Sequence, residues 1–318
     1  MLAAVAFSLF SSSSEEDLRD EAQKKEDDII LLLKKAKLSM YRGQLQAASD
    51  FLHQAIALAH QTHNTQAIIY TYSLMANLAY VQGQLDNAEK LFKAAMSFIL
   101  SGGTPQDDNS VIEISLKLAT IYASQNKTEL AEHGYRFCSE SLQAKLDKLA
   151  TIPAEQRSEE EELRKETRLL LGLCLDSRAR YRASAHRLSQ AAQDYGHALR
   201  ICREEQGETH PQTLVLMSDL ATILDLQGRY DEALPLIQRA MELSRIAGHP
   251  DQHVLLGNMA GILLHQGELE ESERLYREAR SLAEAVGDQD ALQQIRDGLK
   301  EVGKRRHEQK NKEYAARE

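Results

Sequence analysis

Tryptophan is absent from these 318 residues and proline occurs only five times. Little in the chain therefore interrupts a helix, while Ala, Leu, Glu, Gln and Lys, whose side chains lose little freedom there, are plentiful. Cysteine is almost as scarce. Cys138, Cys174 and Cys202 are odd in number and far apart, which argues against a disulfide framework and a CxxC metal or redox site; each is expected as a small buried apolar residue. Positive charge is in deficit, with 38 Lys and Arg against 48 Asp and Glu, a formal net charge of −10. Counterion release from phosphates needs a basic surface, so no nucleic acid is expected as the main partner. A cationic or apolar peptide fits better.

Long hydrophobic runs are missing as well. The start, MLAAVAFSLF, holds ten mostly apolar residues, against the ~20 that a membrane-spanning helix needs. No Lys or Arg precedes Arg19, so neither the charged n-region of a secretory signal nor the Arg-rich face of a presequence is seen. Residues 1–26 are expected as a flexible N-terminal segment, either a remnant of a membrane anchor or a disordered start, and a longer N-terminus would supply any membrane attachment. Catalytic signatures are lacking: GxSxG, GxxxxGK[ST] and GxGxxG do not occur. His249 and His253 are four apart, but Pro250 lies between them and no third ligand accompanies them. The four carboxylates Glu159 to Glu162 fan around a helix and do not converge as an acid/base pair would. No enzyme, metal or cofactor is expected, and His210 with Pro211 is read as setting the entry to a helix.

What is present is a phrase written several times. QGQLDNAEKLFKAAM begins at Gln82 and returns as QGRYDEALPLIQRAM from Gln227 and QGELEESERLYREAR from Gln266, with a fainter RGQLQAASDFLHQAI from Arg42. Around each copy the apolar residues recur three or four apart, the period of a helix, with almost no alternating runs. Each copy reads as two amphipathic helices broken at Gly43, Gly83, Gly228 or Gly267, where glycine takes positive φ without steric cost. Seven residues before that turn stands Ala36, Ala76, Ala221 or Ala260; five after it, Ala48, Ala88, Ala233 or Ser272; twelve after it, Ala55, Ala95, Ala240 or Ala279. A large residue, Leu52, Phe92, Ile237 or Tyr276, falls among them. Small against large is the pattern of interlocked helices.

That grammar resembles the tetratricopeptide repeat, although the tryptophan of the family pattern is missing throughout. Gly43 to Gly83 is 40 residues and Gly228 to Gly267 is 39, longer than the family's ~34, and REEQGETHPQTLVLMSDLATILDLQGRYDEA resembles the repeats of kinesin light chains. A further copy from Leu116 places Ala119, Tyr122, Ala131 and Tyr135 in register with Asn126 at the turn, since Asn is the next best residue there. A sixth offers Gly172, Ala191, Tyr195 and Ala198, but Gly172 to Ala191 is 19 residues where Ala76 to Ala88 is 12. The spacing predicts helices lengthened by about two turns. The expected architecture is all-α: an α-solenoid of about six helical hairpins over residues 27–302 with a C-terminal capping helix. A polar, disordered tail is expected over 303–318.

In such a stack the first helices of successive hairpins line a concave groove suited to a peptide. Asn77, Tyr80, Thr120, Thr222 and Asp225 are the candidate groove residues, and the same side chains also suit plain hydrogen bonds between helices. YTYSLMANLAYVQGQLDNAEKLFKAAMSFIL, DNSVIEISLKLATIYASQNK and GETHPQTLVLMSDLATILDLQGRYDEA, in that order around an irregular middle, are similar to a family of mitochondrial tetratricopeptide repeat proteins over roughly residues 28–300. The resemblance implies a non-enzymatic factor of the mitochondrial inner membrane that associates with respiratory complex III, and it implies complex III subunits, including the Rieske iron-sulfur protein, as partners. In that family, fragments of the Rieske protein are removed and the complex is kept functional. The rival expectation is a cytoplasmic cargo adaptor of the kinesin-light-chain type. Such a protein carries a heptad coiled coil, for which residues 15–28 are too short.

Overall fold

The structure is a computed structural model that describes residues 21–151 and 157–315. The reading of residues 1–20 as a tether lies outside the described residues. Among those described, thirteen helices follow one another: α1 (Glu21–Tyr41), α2 (Leu45–Gln61), α3 (Thr65–Val81), α4 (Leu85–Ser101), α5 (Asn109–Ser124), α6 (Thr128–Ala150), α7 (Arg157–Ser184), α8 (Leu188–Gln206), α9 (Pro211–Leu226), α10 (Tyr230–Ala247), α11 (Gln252–Gln266), α12 (Leu269–Val286) and α13 (Gln289–Ala315). The fold is that of an all-α tetratricopeptide-type array. It divides into two compact units between Ser141 and Leu142, inside α6.

In the first unit α1 pairs with α2 and α3 with α4, while α2 packs on α3 and α4 on α5. In the second, α7 pairs with α8, α9 with α10 and α11 with α12, and α13 closes against α12 and α11. The small residues explain how closely these helices approach. Ala36, Ala76, Ala119, Ala221 and Ala260 have no exposed surface, and neither do Ala48, Ala88, Ala131, Ala191, Ala233 and Ser272. At the third small position, Cys138 replaces the alanine of Ala55 and Ala95 and is equally buried. The large residues Leu52, Phe92, Tyr135, Tyr195, Ile237 and Tyr276 are buried beside them.

Each hairpin closes with the same two hydrogen bonds. After α3, the Gly83 N–H donates to the Tyr80 carbonyl at 2.9 Å and the Gln84 N–H to the Ala79 carbonyl at 2.8 Å, the Schellman arrangement that puts one residue in the left-handed region. Gly83 sits there at φ 74°, and Asn126 does the same work at φ 58°. A side chain at Gly83 would meet open space, so its cost is conformational alone. Gly83→Val is expected to lower stability by about 1–2 kcal/mol, seen as a lower melting temperature with unchanged helical circular dichroism at 20 °C.

The irregular sixth copy is not lengthened between its small residues, and here the sequence-based register is corrected. The turn falls at His186, φ 58°, with His186 N–H to Ala183 O at 3.0 Å and Arg187 N–H to Arg182 O at 2.8 Å. Seven residues before it stands Ala179, fully buried, and Ala191 follows twelve after that. Ala179, not Gly172, is the counterpart of Ala76. Histidine is among the few non-glycine residues enriched in the left-handed region, so a turn without glycine or asparagine escaped notice. The extra length of α7 lies instead at its start.

Two other boundaries shift. α1 begins at Glu21, ahead of residue 27, and α13 runs through the expected tail to Ala315. The basic cluster there is partly pinned: Arg305 Nη1 donates to the Leu264 carbonyl at 2.8 Å, and Arg306 Nη2 lies 2.5 Å from Glu273. His210 and Pro211 do open a helix. The His210 Nδ1 accepts from the Gln212 N–H at 3.2 Å, and Pro211 occupies the first turn of α9, where a missing N–H costs nothing.

Candidate functional site

In the second unit, α9 and α11 are the first helices of successive hairpins, and α13 takes the place that a further one would occupy. Between them lies a cleft of about 240 Å³ lined by residues of α9, α11, α12 and α13. Its depth comes from glycine. Gly257 and Gly261 both line it, four residues apart and so on one face of α11. A Cβ at Gly261 would stand 3.4 Å from the Tyr276 hydroxyl, and one at Gly257 3.9 Å from Ile295 Cγ1.

The polar lining is held by cross-links between helices. His265 Nδ1 of α11 lies 2.7 Å from Asp225 Oδ2 of α9. At the other end of α11, His253 Nε2 is 2.9 Å from Asp288 Oδ2, whose Oδ1 accepts from the Ala291 N–H that starts α13. Asn258 donates to the Ser218 hydroxyl at 2.8 Å. Burial raises the Asp225 carboxyl above its usual range, and the hydrogen bond from His265 opposes this. Burial also raises the Tyr276 phenol, with the Asp225 charge adding to it. The Asp288 carboxyl is held low, first by the Ala291 N–H and then by His253.

A second acidic group flanks this region on α7 and α9. Asp176 accepts from Arg180 Nε and Nη2 at 3.0 and 3.2 Å, and Arg180 also lies 3.5 Å from Asp219. Burial pushes the Asp219 carboxyl up to about 6, against the attraction of Arg180 and aided by the Asp176 charge. Among the described residues, no three His, Cys, Asp or Glu side chains form a set that could hold a metal ion. His249 instead accepts from the Asp251 N–H at 3.1 Å.

Of the candidate groove residues, Thr222 and Asp225 line the cleft together. The Thr222 hydroxyl donates to the Ser218 carbonyl. The other three belong to the first unit. Tyr80 is 37% exposed on α3, and its hydroxyl lies 3.3 Å from Ser124 Oγ on α5. Asn77 is half-buried on the same helix. Thr120 donates to the Leu116 carbonyl and accepts from the Tyr135 hydroxyl at 3.4 Å, contacts internal to the α5–α6 hairpin. A separate apolar groove of about 460 Å³ lies between α1 and α3, where Lys37 Nζ sits 5.0 Å from the centre of the Tyr70 ring.

His253, Asn258, His265 and Tyr276 were not among the residues singled out as groove residues, yet a signal for two of them existed. Ser218 to Asn258 and Asp225 to His265 are both separations of 40 residues, within one residue of the 39 from the Gly228 turn to the Gly267 turn. A polar residue on a first helix thus finds its partner one repeat further on.

A family model described as "Tetratricopeptide repeat" matches residues 173–246, across the His186 turn, and a second of the same description matches residues 255–286. The chain is 66% identical over 308 residues to "Tetratricopeptide repeat protein 19, mitochondrial" of Danio rerio, covering 97% of this chain and 75% of that protein. It is 54% identical over 212 residues to the Rattus norvegicus protein of the same name, covering 67% of this chain and 57% of that one. Among solved structures, the apo form of RapI matches with a TM-score of 0.64 at 12% identity, over 94% of this chain and 79% of that one; this likeness concerns the fold alone. No helix among the described residues is long and apolar enough to cross a membrane.

Proposed function

This chain belongs to the family of mitochondrial tetratricopeptide repeat protein 19, and from that membership we propose that it is a non-enzymatic adaptor of respiratory complex III in the mitochondrion. In this reading it associates with the inner membrane, binds complex III subunits including the Rieske iron-sulfur protein, and supports the complex by helping to clear Rieske fragments. The observation that carries the binding role is the cleft on α9, α11 and α13. Its glycine-recessed wall and polar rim suit a peptide segment, whose backbone and side chains need both apolar cover and hydrogen-bond partners. An adaptor of this kind needs no nucleophile or cofactor, only a shaped surface.

The test is to express the tagged protein with the N-terminus it carries in its own cells and purify it from mitochondria in mild detergent. Complex III subunits are expected in the eluate, with Rieske fragments enriched when proteolysis is blocked. An eluate without complex III subunits overturns the reading. The double variant Asn77→Ala, Tyr80→Ala is expected to reduce that recovery several-fold with a melting temperature near that of the parent, because Tyr80 is exposed and Asn77 only half-buried. If the variant instead unfolds, their role is structural.

A further inference from the structure

We propose that the Asp225 end of the cleft is a subsite for a basic side chain, the ammonium of a lysine or the guanidinium of an arginine, on the peptide that the cleft receives. The proposal rests on the peptide-binding reading above. Asp225 is 7% exposed. Its Oδ2 is paired with His265, whereas its Oδ1 is buried and has no hydrogen-bond partner among the described residues. A carboxylate oxygen accepts and cannot donate, so a donor entering the cleft would satisfy it. A buried acceptor left unmatched is expensive, and more so when it carries charge.

The surroundings favour a cation over a neutral donor. Among the described residues the basic side chain paired with Asp225 is His265, and an imidazole offsets the carboxylate's charge only when it is protonated. The Thr222 hydroxyl already gives its proton to the Ser218 carbonyl. Leu226, Val254 and Ile262 supply apolar walls against which the methylene stem of a lysine or arginine can lie while its head reaches the carboxylate. The hydrogen bond formed would be charge-assisted, the stronger kind. The formal charge of −10 on the whole chain would further draw in a basic segment.

Fluorescein-labelled hexapeptide pools test this, each acetylated and amidated, with one position fixed and five randomised over residues other than Lys, Arg and His. Fluorescence anisotropy against the full chain is expected to show the Arg and Lys pools binding about tenfold more tightly than the citrulline and alanine pools. Asp225→Asn is expected to abolish that preference. His265→Lys, a change at a side chain that is 41% exposed and already in contact with Asp225, should do the same by placing a fixed cation beside the carboxylate, and it decides the matter if Asp225→Asn does not fold. Binding of all pools without cation preference overturns the subsite and leaves the cleft as a peptide groove. A cation preference that survives in the folded variants also overturns it. If no pool binds, the peptide groove falls with the subsite, while recovery of complex III from mitochondria still judges the adaptor reading independently.

Discussion

Asp194→Ala is expected to cost about 3 kcal/mol or more of stability, the largest loss from any single polar substitution considered for the second unit. Asp194 is 5% exposed on α8. Arg178 on α7 grips it with both ends of its guanidinium, Nε to Oδ2 at 2.9 Å and Nη2 to Oδ1 at 2.7 Å, and Arg182, one turn further along α7, adds Nη1 to Oδ2 at 2.6 Å. Removing the carboxylate leaves two cations close together in a largely buried setting. Such a truncation costs more than the ion pair contributes, because the desolvation of the remaining cations loses this carboxylate's compensation. Urea unfolding followed by circular dichroism checks the prediction, with the transition of the second unit moving to lower urea. Replacing the group with apolar side chains, as Asp194→Leu with Arg178→Met, should recover part of the loss. A midpoint for Asp194→Ala within error of the parent would show that the arginines are solvated.

Gly298→Ala should be among the most damaging of the small-to-large changes at glycine, toward the upper end of about 1–3 kcal/mol. A Cβ there would stand 2.4 Å from Tyr276 Cζ and 2.6 Å from its hydroxyl. Tyr276 is itself 7% exposed at the large position of the last repeat, so the ring has little room to retreat. Either α13 lifts or the tyrosine leaves its rotamer. Urea unfolding of Gly298→Ala, Tyr276→Leu and the double variant separates the two effects. The double variant is expected to be more stable than the sum of the single losses implies, since the clash is gone. Strict additivity would show that the glycine serves helix flexibility and not the close approach.

The hairpins were legible in the sequence because their packing leaves a fixed trace: Ala76, Gly83, Ala88 and Ala95 must be small or left-handed wherever the unit recurs. Cys138 at the third small position kept that trace in a different residue. It faded at His186, where a histidine takes the left-handed turn, and among the arginines of RARYRAS, which surround Ala179 and hide it. The end of α13 was misread for a related reason. Polar composition normally marks a tail, but Arg305 and Arg306 have a carbonyl and a carboxylate to bind, and neither is visible from composition. The cleft was half legible. Thr222 and Asp225 were found from their place on a first helix, whereas His253, His265 and Asn258 act through partners on other helices. Ser218 with Asn258 shows that comparing polar residues one repeat apart would have exposed part of that network.

The carboxylate of Asp288 has two duties, capping α13 through Oδ1 and holding His253 through Oδ2. One side chain thereby fastens the rim of the cleft to the first turn of the terminal helix. Loss of that carboxylate would therefore remove a helix cap and a cross-link together. At the opposite end the Asp225–His265 tie has no such attachment to a helix start. Loss of the tie at that end would remove a cross-link and leave the start of α13 capped.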